Sequence, residues 1–185
     1  MIGIYNFTVW LTLASVISSS IGITLSVSGN VQGGLLCLGI CGLCDAFDGT
    51  VASLKKNRTD YERAYGLNLD SLSDLIAFGI LPAMIFYGFG FHEIWGYVIM
   101  GVYIICAISR LAFFDVDEIM RTKEETGRRT SFTGLPVTNA AIIFPVAMAL
   151  CLLFKLPANY IYLAFLILTA AAFVTPFKLK KAFLP

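Results

Sequence analysis

The sequence predicts an all-α, multi-pass membrane protein with six transmembrane helices and both termini in the cytoplasm. Three observations lead there. Hydrophobic residues make up 58% of the 185-residue chain and charged residues 14%, with a mean hydropathy of +0.81. Those charges are too few to cover the apolar surface of a water-soluble fold this size. Six apolar stretches of spanning length follow one another, near residues 8–27, 32–51, 70–90, 94–113, 135–154 and 158–177. The basic residues also sort by loop. With six spans and both ends inside, the inner side receives Lys55, Lys56, Arg58, Arg63, Arg110, Arg121, Lys123, Arg128, Arg129, Lys178, Lys180 and Lys181, leaving Lys155 alone outside. That split is the Lys/Arg excess expected of short cytoplasmic loops.

Taken in order, the first span is a plain hydrophobic run. It has no positively charged start before Trp10 and no cleavage signal before the second span, so it reads as a retained helix and not a signal peptide. The second and third spans each carry two aspartates. The fourth leads into the longest inner loop, Asp115 to Thr133, where charges of both signs suggest an interfacial helix. The fifth carries no charged residue and the sixth is again a plain run. Gly22, Gly34, Gly39, Gly42, Gly79 and Gly101 are suited to close helix packing in lipid. No repeat, linker or low-complexity tract divides the chain, so residues 1–185 read as one domain. A formal net charge of +1 supplies no basic surface for a nucleic-acid backbone.

The chemistry concentrates in two helical stretches. Asp45 and Asp48 are three residues apart and Asp70 and Asp74 four apart, so each pair shares one helix face. Two adjacent helices then converge four carboxylates near the inner membrane surface. An aspartate at a helix centre costs about 2.5–3.5 kcal/mol on insertion scales, so this group needs compensation. Divalent Mg²⁺ or Mn²⁺ is the simplest partner, because two such ions can clamp a phosphoryl group and its leaving group. Gly49 and Gly66 set bare backbone beside the acids, where a nucleotide can approach closely. The other reading is a carboxylate-lined cation transporter, but all four acids lie at one end of their spans and none continues a path across. The five cysteines and the lone His92 form no comparable group.

The runs Asp45-x2-Asp48-Gly49-x2-Ala52 and Gly66-x3-Asp70-x3-Asp74 resemble the signature of the CDP-alcohol phosphotransferases, and the six-span layout matches theirs over essentially the whole chain. Asn6 and Thr8 loosely resemble the residues that precede the first span in that family. One departure is Ser53, where the family has arginine. Leu69-Asp70-Ser-Leu-Ser-Asp74 with Phe78-Gly79 and Pro82-Ala83 is similar to the phosphatidylserine synthase branch. So are Ser109-Arg110-Leu111-Ala112-Phe113-Phe114, with Phe113 in place of a second arginine, and Phe132-Thr133-Gly134-Leu135-Pro136.

The resemblance implies transfer of a phosphatidyl group from CDP-diacylglycerol to the serine hydroxyl in the cell membrane, with the site at the cytoplasmic face. It implies Asp45, Asp48, Asp70 and Asp74 as ligands for Mn²⁺ or Mg²⁺, two ions in all. Asp74 is either the general base or a ligand only. CDP contacts fall to Asn6, Thr8, Asp48, Gly49, Ala52 and Gly66. Arg110, Arg128 and Arg129 are candidates for binding substrate anions, Arg128 and Arg129 equally for lipid headgroups. A homodimer is also implied. A sibling transferase using glycerol 3-phosphate or inositol phosphate is the nearest alternative.

Overall fold

The computed structural model describes residues 9–53, 59–123, 131–176 and 178–180. The expectations placed on Asn6, Thr8, Arg128 and Arg129, and the basic residues Lys55, Lys56 and Arg58, lie outside the described residues. The fold is a helical bundle. Its helices are α1 (Trp10–Val27), α2 (Val31–Ser53), α3 (Asp60–Asp74), α4 (Leu81–Gly88), α5 (Ile94–Lys123), α6 (Ala140–Phe154) and α7 (Ala158–Val174). A π-helical segment, Leu75–Ile80, joins α3 to α4 and makes them the single third span. Among the described residues five stretches are long and apolar enough to cross a membrane, and α7 is a shorter apolar helix of 17 residues. At 1.5 Å per residue α7 is about 26 Å long, close to the hydrocarbon thickness of about 30 Å.

Two boundaries differ from expectation. The third span begins ten residues earlier than its apolar stretch, because Thr59 and Glu62 form a capping box: Thr59 Oγ1 accepts from the Glu62 amide at 3.2 Å, and the Thr59 amide donates to Glu62 Oε2 at 3.1 Å. The fourth span runs ten residues past its apolar stretch to Lys123, so the helix expected within the loop from Asp115 to Thr133 is continuous with α5 that far.

The first span looks uniform in sequence, yet its polarity is inverted relative to a soluble helix. The buried stripe is Thr12, Ser15, Ser19, Gly22 and Ser26, while Trp10, Ile17 and Ile21 face outward. Small residues admit α2 at close range, and the hydroxyls are satisfied locally, Ser19 on the Val16 carbonyl at 2.9 Å and Ser26 on that of Gly22 at 2.7 Å. A Cβ on Gly22 would come within 2.7 Å of Cys37 Cβ, and one on Gly34 or Gly42 would collide with Ser26 Oγ or Ala141 Cβ; Gly79 is similarly enclosed by Leu75 and Ala107. Gly39 and Gly101 instead face open space within this chain.

The core is apolar and aromatic. Leu38, Phe78, Leu81, Phe86, Tyr103, Phe144 and Tyr162 are fully buried, with Phe144 and Tyr162 stacked at 4.8 Å and Tyr103 edge-on to Phe144 at 6.2 Å. A short antiparallel ribbon, β1 (Ser131–Thr133) with β2 (Lys178–Lys180), ties the α5–α6 connection to the segment after α7. Both ends of the described chain therefore lie at the same end of the bundle as the α2 C-terminus and the α3 N-terminus. The connections at Ser28–Asn30, Phe89–Glu93 and Lys155–Pro157 lie at the opposite end.

Candidate active site

The end of the bundle where α2 finishes and α3 begins gathers the acids. Asp45, Asp70 and Asp74 each offer a carboxylate oxygen, and the three oxygens lie within 4.8 Å of one another. Asp48, one turn beyond Asp45, makes a side-chain contact with Asp70. The spacing read from sequence thus gives the expected result, with two pairs on two helices meeting as one group. Carboxylates this close repel unless a proton or cation stands between them. Asp74 is only 9% exposed, which sharpens that need. Hard oxygen donors in this number and spacing fit a divalent cation such as Mg²⁺ or Mn²⁺.

Serines interleaved with the acids hold α3 in place. Ser71 Oγ donates to Asp115 Oδ1 on α5 at 2.6 Å, and Ser73 Oγ donates to the Thr12 carbonyl on α1 at 3.3 Å. Asp70 and Asp74 are therefore presented by a helix tethered on both sides. The sequence reading missed Ser71, Ser73 and Asp115, whose only signal was their alternation with the acids and a charge at the end of a span.

Arg110 approaches from α5. It is 5% exposed, and its Nε donates to the Leu135 carbonyl at 3.0 Å. That carbonyl is presented by the turn at Gly134, whose φ of +79° favours glycine, and a Cβ there would stand 3.3 Å from the Thr175 carbonyl oxygen. The Gly134-Leu135-Pro136 run thus has a local task, which is to fix the Arg110 guanidinium. Phe113, the residue standing where a second arginine was expected, lies under that guanidinium with its ring centre 5.9 Å from Arg110 Cζ.

Arg110 and the acids share a cavity of about 290 Å³, lined by Asp45, Asp70 and Asp74 on one side and by Arg110, Leu111 and Phe114 on another. Pro136, Val137, Thr138 and Asn139 complete it. Thr138 and Asn139 were not anticipated; their hydroxyl and amide add neutral polar groups beside one cation and three anions. Gly49 and Ala52 lie near the end of α2, one turn or more beyond Asp45, and Gly66 lies one turn before Asp70 on α3. Of the predicted residues, then, the structure brings together Asp45, Asp48, Asp70, Asp74 and Arg110. Beneath them the bundle closes over Phe78, Tyr103 and Phe144.

A family model described as CDP-alcohol phosphatidyltransferase matches residues 5–177. The chain is 37% identical over 115 residues to a CDP-diacylglycerol–serine O-phosphatidyltransferase of Saccharomyces cerevisiae, covering 60% of this chain and 40% of that protein. It is 33% identical over 133 residues to an archaetidylserine synthase of Methanothermobacter thermautotrophicus, covering 71% and 53% respectively. A CDP-diacylglycerol–serine O-phosphatidyltransferase of Helicobacter pylori is 33% identical over 114 residues, covering 60% and 42%. The chain spans about half the length, or less, of these relatives.

Proposed function

The chain belongs to the CDP-alcohol phosphatidyltransferase family, and on that premise we propose that it transfers the phosphatidyl group of CDP-diacylglycerol to the hydroxyl of serine, giving phosphatidylserine and CMP. The observation that carries this reading is the shared cavity: converging carboxylates face a fixed arginine at one end of a membrane-spanning bundle. The acyl chains then stay in the bilayer while the nucleotide sits over the mouth of the cavity. The serine assignment draws support from the names of the three relatives.

Asp45, Asp48, Asp70 and Asp74 would hold the divalent ions, two Mg²⁺ or Mn²⁺. When bound, such ions supply positive charge against the pyrophosphate and its leaving group. Arg110 suits the serine carboxylate or a phosphate oxygen, since guanidinium presents donors in a planar fork. Asp74 takes the proton from the serine hydroxyl. The freed oxygen attacks the lipid-bearing phosphorus in line, a new P–O bond forms, the bond to CMP breaks, and CMP leaves with the electron pair. Seating serine between Asp74 and Arg110 turns an encounter in water into a positioned attack. Gly49, Ala52 and Gly66, with Asn6 and Thr8, would make the CDP contacts, and Arg128 and Arg129 would meet phosphates or lipid headgroups.

The orientation follows the charges. Arg63, Arg121, Lys123, Lys178 and Lys180 accompany the carboxylate end and Lys155 the other, so the site faces the cytoplasm of the cell membrane. A homodimer is part of the same proposal. Transport of cations is disfavoured because fully buried Phe78, Tyr103 and Phe144 fill the bundle beneath the acids.

An arginine beside the acids also suits a phosphate-bearing acceptor, so the acceptor must be tested directly. Purified protein is supplied with CDP-diacylglycerol or its ether-linked analogue, Mn²⁺ or Mg²⁺, and serine, glycerol 3-phosphate, inositol phosphate or no acceptor. CMP release that needs serine and is abolished by EDTA is the expected result. Release with a phosphate acceptor instead discards the serine assignment, and a preference for the ether-linked donor moves the lipid assignment toward that of the archaeal relative.

A further inference from the structure

We propose that Tyr103 is a positioning residue for the carboxylates, holding the third span in the π-helical register that turns Asp70 and Asp74 toward Asp45. The inference rests on the reading of those acids as a divalent-metal site. Asp74 immediately precedes the π segment Leu75–Ile80, whose end is marked by the Leu81 amide donating to the Ile76 carbonyl, five residues back. Pro82 follows. In an α-helix the amide of residue 82 would donate to the Phe78 carbonyl, and proline has none to give. Tyr103 supplies the missing donor: its Oη, on a fully buried side chain, donates to the Phe78 carbonyl at 2.8 Å. Tyr162 Oη makes a matching bond to the Pro82 carbonyl at 2.9 Å.

The geometry explains why a wide turn is kept here. The third span must bury Leu81, Ile85 and Phe86 in the core below while presenting Asp70 and Asp74 to α2 above. An α-helix advances about 100° per residue, so removing the extra residue of a π turn swings one half against the other by about that angle. Both halves cannot then face their partners. Single π turns inside α-helices are frequent at functional sites. Tyr103 does not line the cavity, so its hydroxyl acts only through the backbone it holds.

Two variants test this in opposite directions. Tyr103→Phe removes the bond and keeps the ring. Pro82→Ala restores an amide that can take the Phe78 carbonyl in an ordinary α turn. Mn²⁺ binding is followed by electron paramagnetic resonance on protein in lipid nanodiscs, alongside thermal unfolding and the Mn²⁺ dependence of CMP release. Both variants are expected to bind Mn²⁺ about ten-fold more weakly, the scale of lost support around metal ligands, with the serine KM unchanged. Pro82→Ala does so without a fall in unfolding temperature. Wild-type Mn²⁺ affinity in folded Tyr103→Phe overturns the proposal, as does its retention in Pro82→Ala should Tyr103→Phe not fold. Absence of Mn²⁺ binding by the wild type overturns it too. A wild type that binds Mn²⁺ but releases no CMP with serine sinks the serine reading instead, and the variant affinities still decide this one.

Discussion

Ser71 and Arg110 show how single side chains set the site. The hydroxyl of Ser71 lies 2.6 Å from Asp115 Oδ1, a length typical of a hydroxyl donating to a charged acceptor. Such bonds contribute about 1.5–3 kcal/mol. Ser71→Ala is therefore expected to lower unfolding stability by about that much and to loosen α3 against α5, whereas Asp115→Asn, which still accepts from Ser71, should cost less. Equal losses in thermal unfolding would show that the bond is worth nothing without the charge of Asp115. Much of this scale was legible in the sequence. Asp45, Asp48, Asp70 and Asp74 stood out because carboxylates are rare in apolar spans and their spacing has helical period. Arg110 stood out for the same reason. Ser71, Thr138 and Asn139 did not, since uncharged polar residues are common in membrane helices and only their contacts reveal them.

At the scale of elements, hydropathy located the five helices long enough to span and the shorter α7, but not their local geometry. It averages over a window, so it overlooked the start of α3, where Asp60 to Gly66 is polar and the capping pair Thr59 and Glu62 was the available signal. It also could not distinguish π from α in Leu75–Ile80, because an all-apolar stretch has no polar face whose phase would betray an extra residue. Glycines were read as packing sites from composition alone, and only their neighbours separate the two kinds. A Cβ at Gly88 would come within 2.5 Å of the Ser26 carbonyl oxygen, which is backbone and has little freedom to move, whereas Gly39 has open space. Gly88→Ala is expected to destabilise by about 1–3 kcal/mol through overpacking. Gly39→Ala should be neutral or slightly stabilising, as alanine favours helix by about 1 kcal/mol. A thermal melt of each variant in the same lipid checks the contrast, and equal effects would contradict the packing of α1 against the third span.

For the whole molecule, inverted polarity explains why a chain with so few charges folds around a polar site. Lipid covers the exposed Ile, Leu, Val and Phe side chains, the aromatic core closes one side of the acids, and the Arg110 clamp closes another. In the proposed reaction, the cavity between them is where a lipid-linked nucleotide and a small polar acceptor would meet. The most direct test of that account uses purified protein in nanodiscs with CDP-diacylglycerol, Mn²⁺ and radiolabelled serine, and measures label entering chloroform-soluble lipid. The wild type is expected to form labelled phosphatidylserine, with CMP in equal amount, and Asp74→Asn to lose about 10²-fold or more, the scale of a missing general base. An Asp74→Asn protein that labels lipid at the wild-type rate would contradict the role given to the carboxylate cluster, and a folded, Mn²⁺-loaded wild type that labels none would contradict the proposed reaction.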